Sequence, residues 1–191
     1  MSAAKHKAPG PRWLPGDPAA QAKIDRIIRV DHAGEYGATR IYAGQLAVLG
    51  DRHPAAPAVR EMADQERRHL ETFEKMIVER GVRPTALTPL WHVAGYALGA
   101  ATALLGEKAA MACTVAVEET IDEHYASQAR ALDGEAGEAP LRSTIEEFRQ
   151  DEIGHRNTAL ERGAEQALAY PVLSGAIKAG SRLAIWLSER V

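Results

Sequence analysis

The sequence predicts an all-α protein, a bundle of four long helices with an apolar connecting helix and a further helix at the C-terminus. Hydrophobic residues make up 46% of the 191 residues, and many of them are alanine, the strongest helix former. Long stretches also repeat their apolar residues at the three- and four-residue spacing of a helix face. No stretch of useful length alternates with the period of two that a half-buried strand requires.

Two helical patterns form a unit in the first half of the chain. The first runs from about Ala22 to Leu49 and stops at "GDRHP". The second runs from about Ala56 to Arg80 and stops at "GVRPTALTP", where a glycine and two prolines break it. Residues 1–21 are rich in Pro and Gly, so we expect a disordered lead-in and a helical domain over residues 22–191.

An uncharged stretch joins the two halves. Residues 85–106 contain no Lys, Arg, Asp or Glu, and we expect an apolar helix that docks on the bundle and dips into one membrane leaflet, with a full membrane span as the alternative. Two further patterns run from about Glu107 to Leu132 and from near Pro140, with the loop "DGEAGEAP" between them. The last helix, after "YP", mixes basic and apolar residues, which suits a membrane interface; a plain packing helix is the alternative.

Each of the four main helices carries a glutamate where its apolar stripe requires a hydrophobic residue: Glu35, Glu66, Glu118 and Glu152. A buried carboxylate without a partner is too costly to stay charged, so it must find a cation, hydrogen bonds or a proton. Unrelated acids paired with Arg or Lys are the alternative, but few basic residues share these stripes.

Two of these acids are followed by a histidine one helical turn later. "ERRH" pairs Glu66 with His69, and "EIGH" pairs Glu152 with His155, so each pair projects from one helix face. The motif by itself is weak. Its placement is more specific, because a helix with a lone glutamate precedes it each time, by 31 residues in the first half and 34 in the second.

The same two-helix unit therefore occurs twice, which predicts a centre for two metal ions. Four carboxylates balance two divalent ions, and this donor set is the ligand pattern of ferritin-like di-iron and di-manganese proteins. We expect Asp31 and Asp151 to orient the histidines from behind, with a surface or capping role as the alternative. His124 is expected to pair with a carbonyl or carboxylate and not to bind metal directly.

Two glycines flank the first acid in "VDHAGEYGA", residues 30–38. A glycine inside a helix costs about 1 kcal/mol relative to alanine, so the pair needs a reason. We expect Gly34 and Gly37, with the neighbouring alanines, to let adjacent helices approach closely. A local helix distortion near the metal is the alternative.

Three blocks of the sequence resemble those of a known family: "IDRIIRVDHAGEYGATRIYAGQLAVLG", "RPTALTPLWHVAGYALGAATALLGEKAAMACTVAVEE" and "AYPVLSGAIKAGSRLAIWLSERV". Together with both Glu-x-x-His units, the similar region extends from about Ile24 to Val191. They are similar to the Coq7 family, the demethoxyubiquinone hydroxylases. The resemblance implies a ferritin-like fold and a carboxylate-bridged di-iron centre. Carried over by position, the implied ligands are Glu35, Glu66, His69, Glu118, Glu152 and His155, with Glu66 and Glu152 as the bridging carboxylates.

The resemblance also implies an activity. This is the O2-dependent hydroxylation of a polyprenylated 3-methyl-6-methoxy-1,4-benzoquinol (demethoxyubiquinol) at ring C5, the penultimate step of ubiquinone biosynthesis. It implies two iron ions, O2 as co-substrate and an external reductant such as NADH. We expect a peripheral position on the cytoplasmic face of a bacterial inner membrane, or on the matrix side of the mitochondrial inner membrane for a processed organellar chain.

The sequence gives less information about partners other than the quinol and the membrane surface. The net charge of −3 argues against nucleic acid. A lipid-binding partner protein of the ubiquinone pathway and a homo-oligomer are open alternatives. Two other functions also remain open: another ferritin-like di-metal enzyme, either a ferroxidase or a manganese catalase, since the ligands alone do not distinguish them, and a non-catalytic lipid-binding helical protein.

Overall fold

The computed structural model describes residues 20–135 and 137–191, and these form a helical bundle. The elements are α1 (Ala20–Leu49), α2 (Ala56–Arg80), α3 (Thr88–Leu104), α4 (Glu107–Ala131), α5 (Ala139–Glu161), a single 3-10 turn (Ala164–Gln166) and α6 (Tyr170–Ser188). No strand occurs in the described residues, so the all-α prediction is confirmed. Helix α1 starts two residues before its predicted start, and residues 1–19 of the expected lead-in lie outside the described part.

Helices α1, α2, α4 and α5 form the four-helix bundle. Short connections make α1 and α2, and likewise α4 and α5, antiparallel neighbours. At one end of the bundle, Lys23 near the start of α1 pairs at 2.8 Å with Glu135, just beyond α4. At the same end, Arg80 at the close of α2 pairs at 2.7 Å with Glu138, just before α5. These contacts show that the start of α1 lies beside the end of α4 and that the end of α2 lies beside the start of α5.

Helix α3 is the long connection between the two halves, and it runs alongside α1. Glycines make this contact close: a Cβ added at Gly95 would lie 2.9 Å from the carbonyl oxygen of Gly37, and one at Gly99 would overlap the carbonyl oxygen of Ile41. Gly44 on α1 faces the backbone of α3 in the same way. Only a residue without a side chain fits where two backbones approach this closely.

Helices α3 and α6 lie on the outside of the bundle and expose apolar side chains, among them Leu90, Val93, Leu183 and Trp186. Among the described helices, none combines the length and the hydropathy that a membrane crossing requires.

Three clusters make up the apolar core of the described residues, and two of them lie one towards each end of the bundle. One contains Ile28 of α1, Phe73 of α2 and Ile145 of α5. The other contains Tyr42 of α1 and Val59 of α2. Along every bundle helix, the stripe glutamate falls between the residues of the first cluster and those of the second. The four acids therefore lie at the middle of the bundle, with apolar packing above and below them.

Candidate metal centre

Six side chains with oxygen or nitrogen donors converge in the middle of the bundle, and all six are buried. They form two overlapping groups, and within each group the donor atoms lie within 4.8 Å of one another: Glu35, Glu66, His69 and Glu152 in one, and Glu66, Glu118, Glu152 and His155 in the other. Glu66 and Glu152 belong to both groups. Two carboxylates shared in this way could bridge a pair of ions.

Both histidines turn the Nδ1 atom towards the carboxylates. His69 Nδ1 lies 3.2 Å from Glu152 Oε1 and 3.5 Å from Glu35 Oε2. His155 Nδ1 lies 3.0 Å from Glu66 Oε1 and 3.2 Å from Glu152 Oε2. Each imidazole nitrogen thus faces the same space as the oxygens of two different helices.

Several donor atoms in this space lack a hydrogen bond of normal geometry. In the described part of the chain these are Glu35 Oε2, both carboxylate oxygens of Glu66, His69 Nδ1, Glu118 Oε2 and Glu152 Oε1. Buried polar atoms are rarely left without a partner. Carboxylate oxygens with imidazole nitrogens are donors that suit a divalent transition metal, so the residues fit a pair of such ions.

The protein groups by themselves cannot hold four negative charges here. Burial raises the pKa of Glu66 and of Glu118 well above the usual value, and the charge of Glu152 raises both pKa values further. Burial also raises the pKa of Glu152. Glu35 differs, because its contacts with His69 outweigh burial and leave its pKa below the usual value. Protons or cations must therefore neutralise the cluster.

The pKa values of the two histidines shift in opposite directions. Burial opposes the charged form of His69, but its close contacts with the carboxylates of Glu152 and Glu35 outweigh burial and raise the pKa of His69 to about 10. Burial lowers the pKa of His155. As long as no metal replaces its proton, His69 therefore carries a positive charge at neutral pH, and His155 is neutral.

Two tyrosines that we did not predict hold the glutamates of α1 and α4. Tyr42 on α1 donates its hydroxyl proton to Glu118 Oε1 at 2.7 Å, and Tyr125 on α4 donates to Glu35 Oε1. Each tyrosine follows the glutamate of its own helix by seven residues. The sequence did contain a signal, since the offset of 83 residues between Glu35 and Glu118 also relates Tyr42 to Tyr125.

Each histidine uses its outer nitrogen to contact the residue that precedes the glutamate of the opposite motif. His69 Nε2 lies 3.0 Å from Asp151 Oδ2, and His155 Nε2 lies 2.6 Å from Gln65 Oε1. Asp151 therefore lies where we expected it, behind a histidine. Gln65 was missed, because an amide carries no charge that marks it as a histidine partner in the sequence.

Asp31 lies beside the centre but reaches neither His69 nor His155, so the expectation that it orients one of them is wrong. Asp31 projects from α1 towards α4, where the amide of Gln128 donates to its Oδ1 at 2.7 Å. His124 Nε2 lies 2.8 Å from the same amide nitrogen and 3.8 Å from Asp31 Oδ1. The side chain bonded to His124 is thus an amide, although we expected a carbonyl or carboxylate.

An apolar cavity of about 350 Å³ lies next to the centre, between α1, α3, α4 and α6. Its walls include Gly34 and Ala38 on either side of Glu35, and Val117, which adjoins Glu118. The cavity therefore begins at the helix segments that carry two of the candidate ligands.

The expected packing role of Gly34 and Gly37 is wrong. A Cβ built on either residue would have no heavy atom of another described helix within 4 Å, so the missing side chains do not bring helices together. Both glycines instead line the cavity. Their lack of a side chain keeps this space open, and the close helix approach depends on Gly44, Gly95 and Gly99.

Known proteins resemble this chain along almost its whole length. The sequence profile of the family described as "Ubiquinone biosynthesis protein COQ7" matches residues 22–188. The 3-demethoxyubiquinol 3-hydroxylase of Rhodospirillum rubrum is 61% identical over 178 residues, which cover 93% of this chain and 83% of that protein.

Two eukaryotic relatives extend the similarity. The human mitochondrial NADPH-dependent 3-demethoxyubiquinone 3-hydroxylase is 55% identical over 177 residues, which cover 92% of this chain and 81% of the relative. The mitochondrial 5-demethoxyubiquinone hydroxylase of Saccharomyces cerevisiae is 45% identical over 187 residues, with coverages of 91% and 80%. The resemblance to this family that we inferred from the sequence blocks is confirmed.

We predict that divalent metal binding at this centre weakens as the pH falls. The raised pKa values of Glu66, Glu118 and Glu152 mean that these groups keep protons at a higher pH than usual. His69 also holds a proton, up to a pKa of about 10. Each bound ion must displace such protons, so affinity should rise with pH until they are lost.

Calorimetric titration of Co(II) in two buffers of different ionisation enthalpy measures the number of protons released. We expect release at about pH 7 and weaker binding at about pH 6 than at about pH 8. Equal affinity at both pH values, with no proton release, would contradict this account of the cluster.

Proposed function

This chain belongs to the family of the ubiquinone biosynthesis protein COQ7, and we propose that it hydroxylates a polyprenylated demethoxyubiquinol with O2 at a two-iron centre. It is an enzyme of ubiquinone biosynthesis, and the hydroxyl group goes to the ring carbon that lacks the methoxy group. The observation that carries the proposal is the pair of donor groups that share Glu66 and Glu152, directly beside an apolar cavity.

The six donors divide between two ion positions. Glu35 and His69 belong to the first position, Glu118 and His155 to the second, and Glu66 and Glu152 to both. Iron bound here would supply the oxygen chemistry, because two ferrous ions together can deliver two electrons to O2. The protein's own contribution is orientation: Tyr125 holds Glu35, and Tyr42 holds Glu118, so neither carboxylate can swing freely.

The cavity suits the substituted ring of a prenyl quinol. Its walls are mostly glycine, alanine and aliphatic side chains, with Trp91, Ser181 and Ser188 as the other lining residues. Small-molecule sites are typically apolar hollows of this kind with a few polar groups. An aromatic ring in the cavity would lie against the segments of α1 and α4 that carry Glu35 and Glu118. With a ring bound, these apolar walls would keep water from the reacting carbon, which favours transfer of oxygen to the ring over side reactions.

The outer faces of α3 and α6 support a position at the membrane surface. Val93 of α3 is 65% exposed, and Leu183 and Trp186 of α6 are 57% and 51% exposed. The cavity lies between these two helices. A prenyl chain could therefore pass from the lipid into the cavity without crossing water. For a bacterial protein this corresponds to the cytoplasmic face of the inner membrane, and the human and yeast relatives are named as mitochondrial.

The reductant has to come from outside the chain. The sequence contains no Gly-x-Gly-x-x-Gly element that would indicate a nicotinamide site. The human relative is named as NADPH-dependent, so we propose a nicotinamide donor, NADH or NADPH, that acts directly or through a partner.

The alternative functions fit less well. A ferroxidase or a manganese catalase could use the same six donors, but neither requires a large apolar cavity beside them. A purely lipid-binding protein would not need six buried donor side chains, five of which carry an atom without a hydrogen-bond partner.

We predict that the two kinds of glutamate affect iron content differently. Glu152→Ala removes a donor from both positions and should leave almost no iron, whereas Glu118→Ala removes a donor from one position and should leave about one equivalent. The parent should hold about two equivalents by elemental analysis. Glu147→Ala, at an exposed site on the same helix as Glu152, is the matched control. Full iron occupancy in every variant would rule out this centre.

The reaction itself is tested by the quinones of a strain that lacks this protein. We expect the strain to accumulate the demethoxy quinone, and we expect the parent gene and the Glu147→Ala control, but not Glu152→Ala, to restore ubiquinone. A quinone profile that is the same with and without the protein would refute the proposed substrate.

We predict that Gly34→Leu blocks the quinol site without disturbing the metal. The leucine side chain would enter the cavity, where nothing within 4 Å opposes its Cβ, and would compete with the ring. We expect kcat/KM for a short-chain quinol to fall by about tenfold or more with unchanged iron content. Gly175→Leu on α6 is the control, because that glycine also has free space around its Cβ but does not line the cavity. An unaffected kcat/KM in Gly34→Leu would place the quinol elsewhere.

We predict that charges on the outer faces of α3 and α6 abolish membrane binding. The double variant Val93→Glu and Leu183→Glu should no longer float with phosphatidylethanolamine–phosphatidylglycerol vesicles in a density gradient, whereas the parent should. Val78→Glu is the control, because Val78 is 80% exposed but lies on α2. If the control is lost from the vesicles as readily as the double variant, these faces are not the membrane surface.

A further inference from the structure

The two halves of the centre match in their six donor side chains and two tyrosines, but they differ at the partners of the histidines. Glu35 and Tyr42 correspond to Glu118 and Tyr125 in kind and in spacing, and each Glu-x-x-His motif corresponds to the other. The residue directly before each Glu-x-x-His motif differs between the two halves. It is Gln65 in the first half and Asp151 in the second.

These two unmatched residues hold the two histidines. The Nε2 atom of His69 contacts Asp151, and that of His155 contacts Gln65, at 3.0 and 2.6 Å. Each contact crosses between α2 and α5, so each helix orients the imidazole of the other. With Nδ1 facing the carboxylates, Nε2 carries the proton and donates it, in one case to an anionic carboxylate and in the other to a neutral amide.

We propose that Gln65 and Asp151 are reciprocal positioning residues, and that their difference in charge makes the position beside His69 bind a divalent ion more tightly than the position beside His155. This inference rests on the proposed two-metal centre. A carboxylate that accepts the outer proton of a histidine makes its inner nitrogen a stronger donor, and such outer partners typically change metal affinity by about 10- to 100-fold. Because the Asp151 side chain is 39% exposed, solvent screens part of its charge, and the lower end of that range applies.

The other outer contacts do not offset this difference in charge. Tyr125 donates to Glu35 and Tyr42 donates to Glu118, so the carboxylates of both positions have the same type of partner. Phe148 stacks on His69 with ring centroids 3.9 Å apart, and the corresponding Met62 lies near the hydroxyl of Tyr42. Neither Phe148 nor Met62 carries a charge.

The test is a calorimetric titration of Co(II) into the full-length, metal-stripped protein, which yields two macroscopic dissociation constants. Repulsion between the ions also separates these constants, but it is common to all variants. We expect Asp151→Asn to raise the first constant about tenfold and Gln65→Glu to lower the second about tenfold. Both substitutions keep the shape of the side chain, or nearly so, and both sites are partly exposed. Asp64→Asn, next to Gln65 but paired with Arg67 at the surface, should change neither constant.

The outcomes separate this inference from the function on which it rests. Two Co(II) ions bound with constants that Asp151→Asn and Gln65→Glu leave unchanged would overturn the inequivalence and leave the two-metal centre standing. An equal effect of Asp151→Asn on both constants would indicate a general structural role and would also overturn it. No Co(II) binding by the parent would remove the proposed centre together with this inference.

Discussion

Mutual repulsion of four carboxylates in a dry core is the constraint on which the rest of the structure depends. Glu35, Glu66, Glu118 and Glu152 are each at most 1% exposed, and burial with mutual repulsion raises the pKa of the last three. Such a cluster is stable only when cations or protons balance it and when its geometry is held from outside. Apolar packing above and below, tyrosine hydroxyls on two acids and hydrogen bonds on both histidines supply that support.

The two sides of this centre differ in what lies next to it. On one side, α2 and α5 each contact the histidine of the other helix. On the other side, α1 and α4 border the apolar cavity, whose outer walls are formed by α3 and α6. A ring held in the cavity and an ion pair held in the bundle are therefore separated only by the helix segments that carry Glu35 and Glu118. The exposed apolar faces of α3 and α6 would bring the same cavity to the lipid in which a prenyl quinol is dissolved.

Much of the fold and of the candidate site could be predicted because both depend on helical periodicity. The α2 pattern predicted the observed bounds Ala56–Arg80. Four acids on apolar stripes, two of them followed by a histidine one turn later, indicated the six side chains that converge in the bundle. Tyr42, Tyr125 and Gln65 were missed, because a tyrosine on an apolar stripe is usually core and a neutral amide shows no preference for a histidine. The tyrosines repeat at the same offset as the glutamates, so a search for internal repeats beyond the acids would have found them.

The sequence by itself determined which helices form and which acids and histidines face inward, because helix faces depend on the local spacing of residues along one chain segment. Only the tertiary structure decided what each inward group touches, since that depends on how separate helices approach and in which register. In the folded protein Asp31 contacts neither His69 nor His155, His155 contacts Gln65, and the space beside Gly34 and Gly37 is open. The sequence shows where a glycine lies on a helix. Only the distance to the next helix decides whether that glycine allows close packing or preserves a cavity.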